Sequence, residues 1–281
     1  MTILVTGGNG QLGCSLRLAS AESCHRFIFT DIEELNITSA AAIDEFFERE
    51  KVDVVVNCAA YTAVDLAEED ETEADAINHK AVAVLAEVCK RYDATLIHIS
   101  TDYVFSGEAD APYTEECVPA PINVYGRTKL AGERAVAQSG CKSIILRTSW
   151  LYSEFGRNFC KTMQSLTASR SEVKVVADQI GSPTYAGDLA AAIIHIIDNN
   201  QFDRCGIYHY SNEGSCSWCD FACEIARLSG NNECEIKACT TADYPTKAQR
   251  PRYSVLDKSK FVATFHLSIP DWLDSLERML K

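Results

Sequence analysis

The sequence predicts an α/β chain: a doubly wound parallel sheet with a smaller, partly interleaved C-terminal lobe. Three observations lead there. A glycine-rich turn joins the first apolar run to a helical stretch; short β-rich runs alternate with helical ones; and a tyrosine and a lysine four residues apart open one of those helices. Taken in order, Ile3-Leu4-Val5 reads as a first strand, and Thr6-Gly7-Gly8-Asn9-Gly10-Gln11-Leu12-Gly13 turns it into a helix continuing through Leu16 and Leu18. Gly7, Gly10 and Gly13 have the spacing that permits a tight turn, close approach to a pyrophosphate and packing of helix on sheet. An anion then sits at the helix N-terminus, where free amides and the dipole favour it.

Residues 27–30 form a second strand ending at Asp31, where a carboxylate reaches an adenosine ribose diol. A 2′-phosphate would be repelled there, and Ile32-Glu33-Glu34 supplies no arginine, so the position favours NADH over NADPH. Residues 52–57, 96–99 and 143–147 are further buried-strand runs, with a helix expected over 74–91. The small residues after the third strand let a cofactor lie against the backbone. Ligands gather beyond the carboxyl ends of such strands, so Gly7, Asp31, Ala60, Thr101 and Thr148 are expected to line one crevice of a Rossmann-type fold.

Tyr125 and Lys129 lie one helical turn apart and project from one face. A free phenol titrates near ~10; a neighbouring ammonium is expected to lower that value and make Tyr125 a proton donor tuned by Lys129. The hydroxyl of Thr101, at the end of the fourth strand, can hydrogen-bond an oxygen on which charge develops. Any one of these features has an ordinary surface or turn explanation; together they predict a reductase.

Composition narrows the class. A net charge of −14 over 281 residues, without a long basic run, disfavours nucleic acid. No stretch approaches the ~20 apolar residues of a membrane span and the N-terminus runs straight into strand, so a cytoplasmic protein is expected. The thirteen cysteines are scattered and are expected to be reduced, mostly buried thiols. Only Cys216-Ser217-Trp218-Cys219-Asp220-Phe221-Ala222-Cys223 is dense, and it lacks a second ligand pair, so no metal site is expected.

The glycine motif, Ser100-Thr101 and Tyr-x-x-x-Lys resemble the extended short-chain dehydrogenase/reductases. More narrowly, Ser100-Thr101-Asp102-Tyr103-Val104-Phe105, residues 123–133, Arg147-Thr148-Ser149-Trp150-Leu151-Tyr152, residues 178–184 and residues 244–251 resemble the dTDP-4-dehydrorhamnose reductase family over essentially the whole chain. The resemblance implies reduction at C4 of dTDP-4-dehydro-L-rhamnose, giving dTDP-L-rhamnose for bacterial surface polysaccharides. It implies that Tyr125 gives the proton, that Lys129 holds the nicotinamide ribose and that Thr101 bonds the reacting oxygen. Gly10, Gln11 and Leu12 would meet the cofactor phosphates, Asp31, Asn36 and Ile37 the adenosine, and Ala60, Tyr61 and Thr62 the rest of its length; Thr101, Asp102 and Trp150 would touch the sugar nucleotide. The family is usually described with NADPH, so NADH or NADPH stays open. Magnesium bound by glutamates at a dimer interface, reported for a subset, finds no glutamate in Thr184-Tyr185-Ala186-Gly187-Asp188-Leu189; Asp188 is expected to cap a helix starting at Leu189.

Organisation follows the motifs: residues 1–149 as the dinucleotide-binding domain and 150–281 mainly as the substrate-binding lobe, with strand 206–210 returning to the main sheet. Arg250 and Arg252 fit either a substrate diphosphate clamp or a solvated basic loop. The partner is a nucleotide sugar and the state a monomer or homodimer. Two other functions stay open: a nucleotide-sugar epimerase or dehydratase, kept alive by Asp102 beside Thr101, and a dinucleotide-binding regulatory subunit without turnover.

Overall fold

The computed structural model describes residues 1–281. Its central sheet contains β1 (Thr2–Thr6), β2 (Arg26–Thr30), β3 (Val54–Asn57), β4 (Thr95–Thr101) and β5 (Ser143–Thr148). After β5 come the short β6 (Leu151–Tyr152), then β7 (Glu172–Val176), β8 (Ile180–Gly181) and β9 (Thr184–Tyr185). Next, β10 (Gly206–His209) joins the main sheet beside β5, and β11 (Cys216–Ser217) and β12 (Glu235–Cys239) follow. The sheet order is β10-β5-β4-β3-β1-β2, every pairing parallel.

Alternate residues of each strand feed opposite cores. Ile3, Val5, Val54, Val56, Ile97, Ile144 and Leu146 pack under helices Gln11–Ala19, Ala186–Asp198 and Ser259–Phe265. Leu4, Val55, Leu96 and Ile145 pack under helices Ala40–Glu50, Ala81–Arg91 and Val124–Ser139. A parallel sheet buried on both faces needs this two-sided apolar run, which is why the strands read as continuous hydrophobic segments. The chain leaves β1 toward β2 and then crosses to β3 on the other side, so a crevice opens at the carboxyl ends of β1 and β3.

The remaining residues build a third core, formed by helices Phe159–Ser169, Trp218–Leu228 and Trp272–Leu280 against the parallel pair β7 and β12. Cys160, Cys216, Cys219 and Cys234 serve it as small apolar side chains, and all thirteen cysteines are unpaired. No group of three or more His, Cys, Asp or Glu side chains is placed to hold a metal ion, and no helix is long and apolar enough to cross a membrane.

Two local expectations change. The helix expected over 74–91 is Glu71–Asp75, a π-helical turn Ala76–Lys80 and Ala81–Arg91. The wider turn places Asn78 inward, where its amide clamps both backbone polar groups of Tyr61 at 2.9 and 3.0 Å. Asp188 does not cap a helix at Leu189: the helix begins at Ala186, and the buried Asp188 carboxylate accepts from Asn212, Ser275 and Arg278, tying the helix to the C-terminal segment.

Candidate active site

A cavity of about 950 Å³ runs along the carboxyl ends of the central strands. Its lining includes Gly7, Gly10, Gln11, Leu12, Gly13, Asp31, Asn36, Ile37, Ala60 and Thr62 at one end, and Thr101, Asp102, Tyr125, Lys129 and Trp150 at the other. Of the residues expected at the cofactor, the reacting oxygen or the sugar, only Tyr61 is outside this lining; Arg250 and Arg252 do not line it either. With the Tyr61 backbone held by Asn78, its ring packs beside Ala67, Ala74 and Val124.

The first end is shaped by backbone. Gly7 has φ +65°, and a Cβ there would come within 2.7 Å of the Ala59 amide nitrogen. A Cβ on Gly13 would collide with the Gly7 carbonyl, so glycine lets helix Gln11–Ala19 start flush against the turn. Gly10 caps that helix without any side-chain hydrogen bond, and its first turn carries no acidic residue. Free amides and dipole therefore face the cavity, which fits a diphosphate. The Gln11 side chain is otherwise engaged: its Oε1 accepts from Ser153 Oγ and Asn158 Nδ2, joining the turn to the segment after β6. One Asp31 oxygen accepts from the Asn9 amide and the other from that of Ile32, which fixes the carboxylate at the rim while leaving lone pairs for a ribose diol.

The other end is fixed by helix Val124–Ser139. Asn123 caps it, accepting from the Gly126 amide at 2.8 Å, which puts Tyr125 in the first turn and Lys129 one turn deeper. Gly126 lies against the Tyr103 carbonyl, where a Cβ would collide, so the helix reaches the turn that follows β4. Lys129 is buried and donates to the Ile99 carbonyl at 2.6 Å. Thr101 accepts from the Tyr103 amide at 3.2 Å and donates to Asp102 Oδ1 at 3.0 Å, while Asp102 Oδ2 is buried without a partner.

The titrations differ from the sequence expectation. Burial pushes the Tyr125 phenol up to about 12; the Thr101 hydroxyl beside it pulls the other way, and Asp102 adds to the rise. Burial brings Lys129 down to about 8, against the upward pull of Glu133 and Cys58. Desolvation, which the sequence pattern does not reveal, sets the direction, and the Lys129 ammonium is not among the groups that move the phenol. Burial also raises Asp102 to about 6.

Trp150 adopts φ +47°, and a Cβ on Gly181 would lie 2.5 Å from its indole. Trp150 stacks on Trp218, centroids 3.5 Å apart and planes 10° from parallel. Trp218 starts a helix closed by a Ser217–Asp220 capping box and borders both this cavity and a second one of about 680 Å³. The second cavity is also lined by Arg170, Lys174, Gln179, Tyr244 and Arg250. Arg250 grips Asp65 with two hydrogen bonds of 2.9 and 2.7 Å. Sequence reading missed Trp218, which stood in a cysteine-rich segment, and Arg157, an exposed cation of the first cavity outside any recognisable motif.

A glycine-turned diphosphate seat and a phenol–ammonium pair in one cavity of a parallel α/β fold define an NAD(P)H-dependent oxidoreductase. A family profile described as the RmlD substrate binding domain matches residues 1–281. A dTDP-4-dehydrorhamnose reductase from Aggregatibacter actinomycetemcomitans is 41% identical over 99% of this chain and 97% of its own length. The crystal structure of such a reductase from Clostridium acetobutylicum superposes with a TM-score of 0.95 at 42% identity, covering 100% of this chain and 98% of that one. One from Bacillus anthracis, in complex with NADP, gives 0.93 at 38% identity over 99% and 98%. The chain belongs to the dTDP-4-dehydrorhamnose reductase family.

Proposed function

We propose that the protein is a cytoplasmic enzyme, monomeric or homodimeric, that reduces the C4 ketone of dTDP-4-dehydro-L-rhamnose to dTDP-L-rhamnose for surface polysaccharide synthesis. The observation that carries this reading is the convergence of Thr101, Tyr125 and Lys129 on the cavity that the glycine turn opens. NAD(P)H supplies the hydride. The protein orients the partners and places charge. Tyr125, held neutral by burial, keeps its proton until an oxygen of rising basicity sits against it, which suits a donor in the reductive direction. Thr101 turns its O–H from Asp102 toward that oxygen and shares the developing charge. Lys129, anchored on the Ile99 carbonyl with donors to spare, holds the nicotinamide ribose and balances the phenolate left by proton transfer.

The Gly7–Gly13 turn seats the cofactor phosphates, Asp31, Asn36 and Ile37 surround the adenosine, and Ala60 and Thr62 flank the middle of the dinucleotide. Trp150 and Asp102 border the sugar. The second cavity, with Trp218 and Tyr244 for a base and Arg170, Lys174 and Arg250 for a diphosphate, suits the nucleotide of the substrate. Residues 150–281 thus serve mainly as the substrate lobe.

The test is a steady-state assay with NADH and NADPH and several keto-sugar nucleotides. Stoichiometric oxidation of cofactor with dTDP-4-dehydro-L-rhamnose is expected. Cofactor that co-purifies and is never consumed would replace this reading with an epimerase or dehydratase, and absence of any turnover with a regulatory subunit.

A further inference from the structure

We infer that Glu133 is a positioning residue that keeps the Lys129 ammonium, seated on the Ile99 carbonyl, charged for the cofactor ribose, an inference that rests on the proposed reductase chemistry. Tyr125, Lys129 and Glu133 recur every fourth residue along helix Val124–Ser139. The last three residues of β4 meet them one to one. The Ile99 carbonyl accepts from Lys129 at 2.6 Å, Ser100 Oγ donates to Glu133 Oε1 at 2.5 Å, and the Thr101 hydroxyl lies beside Tyr125.

Glu133 is 2% exposed and is gripped by Arg147 of β5, Nε to Oε1 at 2.9 Å and Nη2 to Oε2 at 2.6 Å. Arg147 in turn faces His209 Nε2 at 3.4 Å and the ring of Phe105. Desolvation makes a buried pair of this kind a poor device for stability alone, since apolar side chains of similar volume often serve as well. What such side chains lack is negative potential beneath an ammonium.

Beyond the dipole of the Ile99 carbonyl, the ionisable groups around Lys129 leave one anion to supply that potential. From its own helix come Tyr125 and Glu133; from the chain after β3, Cys58; from β4, His98. Burial raises the Cys58 thiol far above its ordinary range and drops His98 well below its own, so both are neutral at pH 7. The phenol is neutral as well. Glu133 is therefore the anion that opposes desolvation of Lys129, whose titration stands at about 8.

The experiment is the pH dependence of turnover and, separately, of NADPH affinity followed by protein fluorescence. Both decline on the alkaline side in the wild type as Lys129 loses its proton. In Glu133→Gln the decline moves to lower pH by about one unit, so that activity at a fixed alkaline pH drops about tenfold. The loss falls on kcat and cofactor affinity, and KM for the nucleotide sugar is spared. The double variant Glu133→Met with Arg147→Met replaces the pair by side chains of similar volume, guards against misfolding, and is expected to show the same displacement. A folded variant of either kind whose alkaline decline coincides with that of the wild type overturns the inference, whatever its thermal stability. Lys129→Met and Tyr125→Phe run alongside: full turnover in those two would remove the reductase reading itself, whereas an unmoved decline with both inactive removes only the role of Glu133.

Discussion

Beneath Tyr125 the protein packs charge against charge, whereas around Trp218 it packs ring against ring. In the first region Lys129, Glu133, Arg147, His98, Asp102 and His209 are all buried, each next to a named polar neighbour or left with one orphaned atom. In the second, Trp150, Trp218, Phe159, Phe221, Tyr152 and Trp272 meet at centroid distances of 3.5 to 6.4 Å. Low dielectric makes every member of a polar seam dependent on its partner, while aromatic packing is broad and directional only in part. Under the proposed function, chemistry falls to the region with the least freedom and recognition of shape to the region with more.

Four experiments break or sharpen this contrast. The largest effect is expected in the polar seam: Tyr125→Phe lowers kcat by about 100-fold or more, while cofactor binding, read by fluorescence titration, stays within about threefold. Full turnover there would dissolve the functional half of the comparison. Next, Gly126→Ala places a methyl group against the Tyr103 carbonyl and within 3.0 Å of Pro121, and is expected to cost about 1–3 kcal/mol in denaturant unfolding. An unchanged midpoint would mean that the seam can yield.

The third concerns acid. His209 is buried and its folded value is lowered to about 3, chiefly by desolvation and then by Arg147. Between about pH 6.5 and that value the unfolded chain binds a proton that the native chain refuses, so stability falls as pH falls through this window. The loss between pH 6.5 and 5 is at most about 2 kcal/mol. His209→Gln should flatten the slope by about one proton, checked by urea unfolding at a series of pH values; an identical slope would place the acid sensitivity elsewhere, His98 being the next candidate. The smallest effect belongs to the aromatic region. Trp218→Ala is expected to raise KM for the nucleotide sugar about tenfold, roughly 1.4 kcal/mol, with kcat within about twofold. A collapse of kcat instead would show the stack acting on the chemistry.

The two regions were unequally legible in the sequence. The glycine turn, Asp31 and the Tyr125–Lys129 pair declare themselves because their spacing is local, and local spacing fixes which side chains share a helix face or a strand end. The setting of Tyr61 was not legible because the Asn78 amide that holds its backbone sits 17 residues on, in a π-helical turn that no propensity announces. The direction of the phenol's titration was misjudged because charge proximity can be read from spacing and desolvation cannot. Trp218 escaped notice because its importance comes from Trp150, far away along the chain, and from a capping box whose serine and aspartate looked like parts of a cysteine cluster.

The pairing of β10 with β5 has a consequence for the emerging polypeptide. Until Gly206–His209 has left the ribosome, β5 presents an unpaired row of amides and carbonyls along Ile144 to Arg147. The nucleotide-binding half is therefore synthesised first yet finished late. A nascent chain stalled near residue 149 would carry this strand edge open, and one extended past residue 209 would have it paired.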